Sequence, residues 1–357
     1  MTAATSTVGK VEPYSDMALR KWGLVIAGIM ALVPALPLLV GSGLVNTRAG
    51  GDSPFLLVRV HQLALNLRAG VFPVRWMPQA AYGLGYPFFN FYASLPYYLA
   101  AALKLLGIGY IWSIRLTQTF GFVFAAMAIY GFSRELGHGR PASLLVALVY
   151  SCAPFHMVNV YVRGDSLSEF YAFVFFPLIL WRLLRLHRQA NARNAVWVAL
   201  SYAGLILTHN ISAMTFSPFV LMYALFGYDN AQRSLAPCRR GAREGRPQGL
   251  GLHHSAVRKE RDGMDGQPRG LPLPWLRNAL RSLLALGTGV LISAWFWLPA
   301  LAERGDVYLK DMTTGYFDYA LHFRSLDLVQ RSFLFDYAIT GDKQPFCMGL
   351  VQAALAM

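Results

Sequence analysis

The chain has 357 residues, 55% of them hydrophobic and 14% charged, with a formal net charge of +14. Charged residues approach a quarter of an ordinary soluble protein, so this balance excludes one, and apolar windows of about 20 residues point to a polytopic helical membrane protein. The charge is no nucleic-acid footprint: residues 233–281 hold ten Arg and one Lys against Glu244, Glu260, Asp262 and Asp265, a local +7, as the positive-inside rule expects of a cytoplasmic loop.

Three cysteines, Cys152, Cys238 and Cys347, are odd in number and far apart. They indicate neither a disulfide framework nor a CxxC metal site.

Residues 1–21 form a polar tail with Lys10, Arg20 and Lys21 before the first apolar run, 22–45. That run is too long for a signal-peptide core and is expected to remain as a first span, its N-terminus in the cytoplasm. Pro34 and Pro37 are expected to kink it.

The loop 46–110 is expected to lie outside. Asp52 or Ser53 is placed to cap a helix and Pro54 suits its first turn. Leu56, Val60, Leu63 and Leu67 then make one apolar stripe, with Arg59, Gln62, Asn66 and Arg68 off it, as in a helix lying on the membrane surface. A Pro/aromatic segment with Arg75, Trp76, Asn90 and Tyr92 follows. Segment 86–106 is apolar enough to pass for a span, but its aromatic density suits the interface. Charge parity agrees. With 86–106 in the interface, spans over 111–132, 141–162, 170–184, 195–207, 211–226 and 279–301 put the later Arg-rich loops in the cytoplasm.

Residues 229–278 are basic, rich in Gly, Pro and Arg and without apolar period, and read as a disordered cytoplasmic loop. They also suit a linker, a lipid-headgroup-binding segment or a stretch altered by a sequencing frame error. Residues 279–357 hold a further span, a second external segment and CMGLVQAALAM, the expected start of another span cut short by the end of the chain. The expected fold is an all-α polytopic membrane protein of about seven to eight transmembrane helices, with interfacial helices in a long external first loop.

Four clusters meet on the external side of this topology. They are Asp52 with Arg59 and His61; Arg163, Asp165 and Glu169; Thr208, His209 and Asn210; and Glu303 with Arg304 and Asp306. Ionisable groups at the ends of several spans fit transfer chemistry on a lipid-linked phosphate. A carboxylate can take a proton from an acceptor hydroxyl. Carboxylates and His can hold a divalent cation such as Mg or Mn, and Arg can clamp phosphate oxygens. Plainer readings stand beside these: Asp52 as a helix cap, His61 as a solvated surface residue, Arg163 with Asp165 as an ion pair, His209 and Asn210 as a turn between spans. Glu169 opens an apolar run, where a carboxylate is costly unless partnered.

The order GGDSPFLLVRVHQL, YPFFNFYASLPYYLAAALKLLG and IWSIRLTQTFGFVFAAMAIYGFSREL resembles the layout of GT-C membrane glycosyltransferases, which use polyprenyl-phosphate-linked sugars. A closer resemblance is to a bacterial multi-pass family labelled 6-pyruvoyl-tetrahydropterin synthase-related membrane domain. It is carried by HQLALNLRAGVFPVRWMPQAAYGLGYPFFNFY, APFHMVNVYVRGDSLSEFYAFVFFPLILW, LTHNISAM, FWLPALAERGDVY and HFRSLDLVQRSF. Nothing resembles a soluble zinc-dependent pterin enzyme.

The glycosyltransferase resemblance implies a GT-C-like core over residues 22–228 in the cytoplasmic (inner) membrane. It implies a catalytic Asp52, a second external acid at Asp165 or Glu169, and binding roles for Arg59, His61, Arg75, Arg163, Asp165, His209, Asn210 and Glu303. The implied partners are a lipid-linked sugar donor and membrane lipids, and the implied transfer is to an acceptor on the external face. Many relatives carry paired carboxylates in the first loop, whereas Asp52 stands between Gly51 and Ser53 with no second acid before Arg59. The alternatives are a non-catalytic transporter or lipid-carrier-binding protein on the same scaffold, or an inactive truncated chain.

Overall fold

The computed structural model describes residues 17–44, 53–164, 166–233 and 273–307, with a few isolated positions beyond them. Among the described residues the regular structure is helical, apart from one isolated bridge between Met77 and Tyr86. Three helices are long and apolar enough to cross a bilayer, and three bent pairs raise the number to six if each pair is one span. By that measure the seven to eight crossing helices expected from the apolar runs are not reached. Beyond the bent pairs the difference is one helix a turn short, and the segment 308–346 and the span expected to start at 347–357 lie outside the described residues apart from isolated positions.

The run 22–45 is two helices, α1 (Met17–Met30) and α2 (Leu32–Val40), bent by 49°. Pro34 has no N–H for the carbonyl of Met30, and the break falls at that turn. Run 141–162 divides in the same way. Here α7 (Arg140–Ser151) is followed by α8 (Pro154–Met157) and a π-turn (Val158–Val162), bent by 43° at the residues before Pro154.

In the first loop, α3 (Ser53–Arg68) begins where the Ser-Pro signal placed it. Leu56, Val60 and Leu63 are buried in one cluster with Tyr97, Ala100, Ala101 and Ile114, so the stripe is covered by protein and not by lipid. Gln62, expected off the stripe, is buried too, because it bonds the loop above it: its Nε2 donates to Gln79 Oε1 at 2.8 Å and its Oε1 accepts from Gln79 N–H at 3.0 Å. Segment 86–106 becomes α4 (Phe88–Phe91) and α5 (Leu95–Leu105). Eleven residues rise about 16 Å, half of a hydrocarbon core, and α5 does not span.

The centre is α6 (Tyr110–Glu135) packed on α9 (Leu167–Arg188). Small residues let rings nest against backbone, as in membrane helix packing. A Cβ added at Gly121 would meet the Phe170 ring at 2.2 Å, and one at Gly131 would meet Trp181 at 2.4 Å. One end of this pair is tied by Glu135, whose carboxylate accepts from Arg185 Nε at 3.0 Å, Arg188 Nη1 at 3.2 Å and Trp181 Nε1 at 3.2 Å.

Helix α10 (Ala192–Thr208) has 17 residues, shorter than the roughly 20 that cross. It nevertheless runs antiparallel along α9. Asn194 at its start donates to the carbonyl of Gln189, and His209 at its end lies in the electrostatic field of Glu169 and Arg163. Helix α11 (Asn210–Arg233) and α12 (Leu273–Ile292) reach further into the basic stretch than its composition suggests, which corrects the disordered boundaries at both ends. Residues 234–272 lie outside the described set.

After α12 the chain bends by 65° into α13 (Ala294–Ala302). Side chains take up the carbonyls freed there: Val290 O accepts from Ser293 Oγ at 2.9 Å and from Trp297 Nε1 at 2.9 Å.

Candidate functional site

The segment Pro87–Tyr92 is where the clusters expected on the external side meet. Proline at 87 excludes a continuous helix, and the single turn of α4 leaves carbonyls and Asn90 free to bond elsewhere. Asn90 is 4% exposed, and its Nδ2 donates to Glu303 Oε2 at 2.8 Å. Phe91 O accepts from Asn210 Nδ2 at 3.4 Å, and Ala93 O accepts from Ser168 Oγ at 3.1 Å. Two of the four expected clusters are thereby bonded to one short stretch of the first loop, and the second cluster reaches it through Ser168, the neighbour of Glu169.

Within the second cluster Arg163 Nη1 donates to Asn159 Oδ1 at 3.1 Å and to Glu169 Oε2, with which it forms an ion pair. Arg163 follows the π-turn, and Glu169 stands in the first turn of α9. His209 closes the opposite side. Its Nδ1 accepts from the Ser212 N–H at 3.3 Å, 2.7 Å from the Ser212 hydroxyl, so the ring proton sits on Nε2. Burial holds this imidazole below the ordinary histidine range; Glu169 pulls it up and Arg163 pushes it down. At neutral pH His209 is thus a neutral donor.

Only part of the first cluster falls among the described residues. Arg59 lies in an aromatic box, its guanidinium 4.5 Å from the Phe88 ring centre and its Nη1 3.1 Å from Tyr97 Oη. It touches the other side of the same Pro/aromatic segment. His61 is elsewhere, its Nδ1 2.8 Å from Tyr110 Oη. Arg75 is exposed on the loop after α3, without a hydrogen bond or ion pair among the described residues. Asp52 and Asp165 lie outside the described residues. Among the described residues no three His, Cys, Asp or Glu side chains are grouped to hold a metal ion.

Beside the polar cluster is an apolar cavity of about 190 Å³ lined by Phe72, Ser94, Tyr98, Leu207, Trp295 and Phe296. It is continuous in sequence with the cluster: Leu207 precedes Thr208 and His209, Ser94 follows Ala93, and α13 leads from Trp295 to Glu303. Phe72 forms one wall, its ring 5.8 Å from those of Tyr98 and Trp295.

Asn159 was not anticipated as a site residue, although it stands four residues before Arg163 in an apolar run, the spacing at which helical side chains meet. Asn90 sat inside the segment singled out, but no local pattern pairs it with a residue 213 positions away. Arg115 also escaped notice. It is 3% exposed on α6, lies over Trp112 at 4.8 Å and donates to the carbonyl of Gly41, tying α6 to the end of α2.

Fold and cluster define a multi-pass helical membrane protein with a polar site at one end of its helix bundle. The model of a membrane-protein family described as the 6-pyruvoyl-tetrahydropterin synthase related domain matches residues 89–236, which take in Asn90, Arg163, Glu169, His209 and Asn210. The expected resemblance to that family is borne out over this stretch. The chain is also 26% identical over 185 residues to an uncharacterized protein of Lactococcus lactis subsp. cremoris (strain MG1363). That similarity takes in 51% of this chain and 30% of the relative's length.

Proposed function

We propose that the protein is a GT-C-like glycosyltransferase of the cytoplasmic membrane. It moves a sugar from a polyprenyl-phosphate carrier to an acceptor on the external face. The observation that carries this reading is the junction of a charged cluster with an apolar cavity. Arg163, Glu169, His209 and Glu303 gather around residues 87–93, and the cavity under Phe72, Leu207 and Trp295 opens beside them. A lipid phosphate has the same two-part chemistry. A cavity of about 190 Å³ is below the 300–1,000 Å³ of a drug-sized pocket and suits a few carbons of a chain whose remainder stays in lipid.

In this reading seven or eight segments cross, α10 among them, and the N-terminus is cytoplasmic. The end bearing Arg134, Arg140, Arg182, Arg185, Arg188 and Arg193 then faces inward, in keeping with the positive-inside rule. Asp52 is the proton acceptor for the incoming hydroxyl, and Arg163 and His209 stabilise charge on the leaving phosphate. Purified protein given a labelled polyprenyl-phosphate sugar should transfer the label, and Asp52→Asn should abolish transfer while leaving membrane insertion intact. Full activity in that variant removes Asp52 from the mechanism.

A second reading, a carrier-binding or transport protein on the same scaffold, draws on the three bent spans, since broken helices frame substrate sites in many transporters. Carrier binding without transfer of label would favour it.

A further inference from the structure

Resting on the reading of a lipid-phosphate substrate, we propose that the N-terminus of α9, with Arg163 and Asn159, is a phosphate-group site that Glu169 occupies until the phosphate arrives.

Four observations converge there. First, α9 starts with no cap among the described residues. The side chain of Ser166 makes no capping bond, and among the described residues the N–H groups of Leu167, Ser168 and Glu169 have no acceptor. Yet Ser166, Leu167 and Ser168 are 6%, 2% and 0% exposed. A buried helix start whose donors have no acceptor among the described residues is unusual, and it carries about half a positive charge.

Second, the amide of Asn159 is 1% exposed, with Oδ1 committed to Arg163 and Nδ2 without any partner. An unpaired buried donor beside a guanidinium is costly unless an acceptor visits it. Third, the Thr208 hydroxyl is 0% exposed and unpaired. It precedes His209, whose proton is on Nε2 because Ser212 N–H takes Nδ1. Fourth, the acceptor present is a carboxylate of the helix's own first turn, Glu169, which answers Arg163 and leaves the other donors unmet.

A polyprenyl-phosphate sugar is a diester with two free oxygens, and transfer leaves on the carrier a phosphate monoester with three oxygens and more charge than a carboxylate. The monoester satisfies the guanidinium, the helix amides and the Asn159 Nδ2 together. Because one guanidinium charge cannot balance both anions, the entering phosphate competes with Glu169 for Arg163 and frees that carboxylate next to the reacting groups.

The test measures binding to the full chain in nanodiscs of zwitterionic lipid, using inorganic phosphate, farnesyl phosphate and phosphatidylglycerol as separate probes. Glu169→Gln should bind the effective phosphate probe roughly three- to tenfold more tightly than the wild type, since one competing charge is gone. Arg163→Gln should lose most of the binding. Preference for farnesyl phosphate over inorganic phosphate identifies a lipid-linked group, equal binding identifies free phosphate, and preference for phosphatidylglycerol identifies a bilayer headgroup. Each of these supports the site. In the wild type, bound phosphate should also protect Arg163 from phenylglyoxal, read by mass spectrometry of its peptide, which keeps the test independent of variant folding. Unchanged or weaker binding in a folded Glu169→Gln, or no protection of Arg163 by any probe, overturns the proposal. Absence of sugar transfer alone counts against the transferase reading and leaves these binding results standing.

Discussion

Asn90 in the first loop donates a hydrogen bond of 2.8 Å to Glu303, 213 residues later, at the end of α13. The amide is buried and the carboxylate exposed, so the bond fixes an accessible acid from a rigid base. Replacing Asn90 by Leu removes both the donor and the unpaired Oδ1. Stability should therefore change by no more than about 1 kcal/mol, while sugar transfer falls at least about tenfold. The double variant Asn90→Leu/Glu303→Gln should be no worse than the poorer single one, because both remove the same interaction. Transfer rates and thermal midpoints of the three variants decide it.

His209 sets a pH dependence. Burial lowers its folded-state pKa beneath the ordinary 6.5, so both folded and unfolded chains carry a neutral ring well above that value and stability is complete there. As pH falls through 6.5 the unfolded chain takes up the proton first, and stability declines until the folded pKa is passed. Thermal unfolding between about pH 7.5 and pH 5 should show this decline in the wild type, with a shallower slope in His209→Gln.

The α6–α9 interface tolerates no added volume at Gly121, where a methyl group would sit 2.2 Å from the Phe170 ring. Gly121→Ala should cost about 1–3 kcal/mol through overpacking, seen as a lower detergent-unfolding midpoint, and Phe170→Leu in the same chain should restore part of the loss.

Glu135 is 4% exposed and answers both Arg185 and Arg188. Glu135→Gln removes the charge that Arg185 and Arg188 share and should destabilise by about 1–3 kcal/mol. Glu135→Asp, which keeps the charge, should recover most of it. Expression level and thermal midpoint in the same membranes report the difference.

The cavity yields a separate expectation. Leu207→Trp fills it beside Trp295 and Phe296, and should slow transfer from long-chain donors more than from short-chain ones, measured as the ratio of the two rates.

Much of this layout was legible in the residues because hydrophobic length and proline position act locally. The break after Met30 follows from Pro34, the break after Ser151 from Pro154, and the failure of segment 86–106 to span from Pro87 and Pro96. The bend at Ser293 was not legible. It depends on Trp297 and Ser293 reaching back to one carbonyl, which no composition window registers. The burial of Gln62 follows from its pairing with Gln79, a contact between a helix and a loop that helical periodicity cannot contain. The four site clusters were expected together on topological grounds, and Asn90, Phe91 and Ala93 join three of them; His61, of the first, pairs with Tyr110 and stands apart, because Tyr110 opens the neighbouring helix and takes its ring nitrogen.

The 65° turn after α12 acts as a lever arm. Nine residues of α13 rise about 14 Å along their own axis, and at that angle most of the rise, roughly 12 Å, is sideways. Glu303 is thereby delivered over the bundle from a helix packed against α10, not against the first loop. Substitutions at Ser293 or Trp297 that straighten the turn would withdraw the acid from Asn90 by about that distance. A residue some ten positions away from Glu303 thus governs whether the charge is present at the site at all.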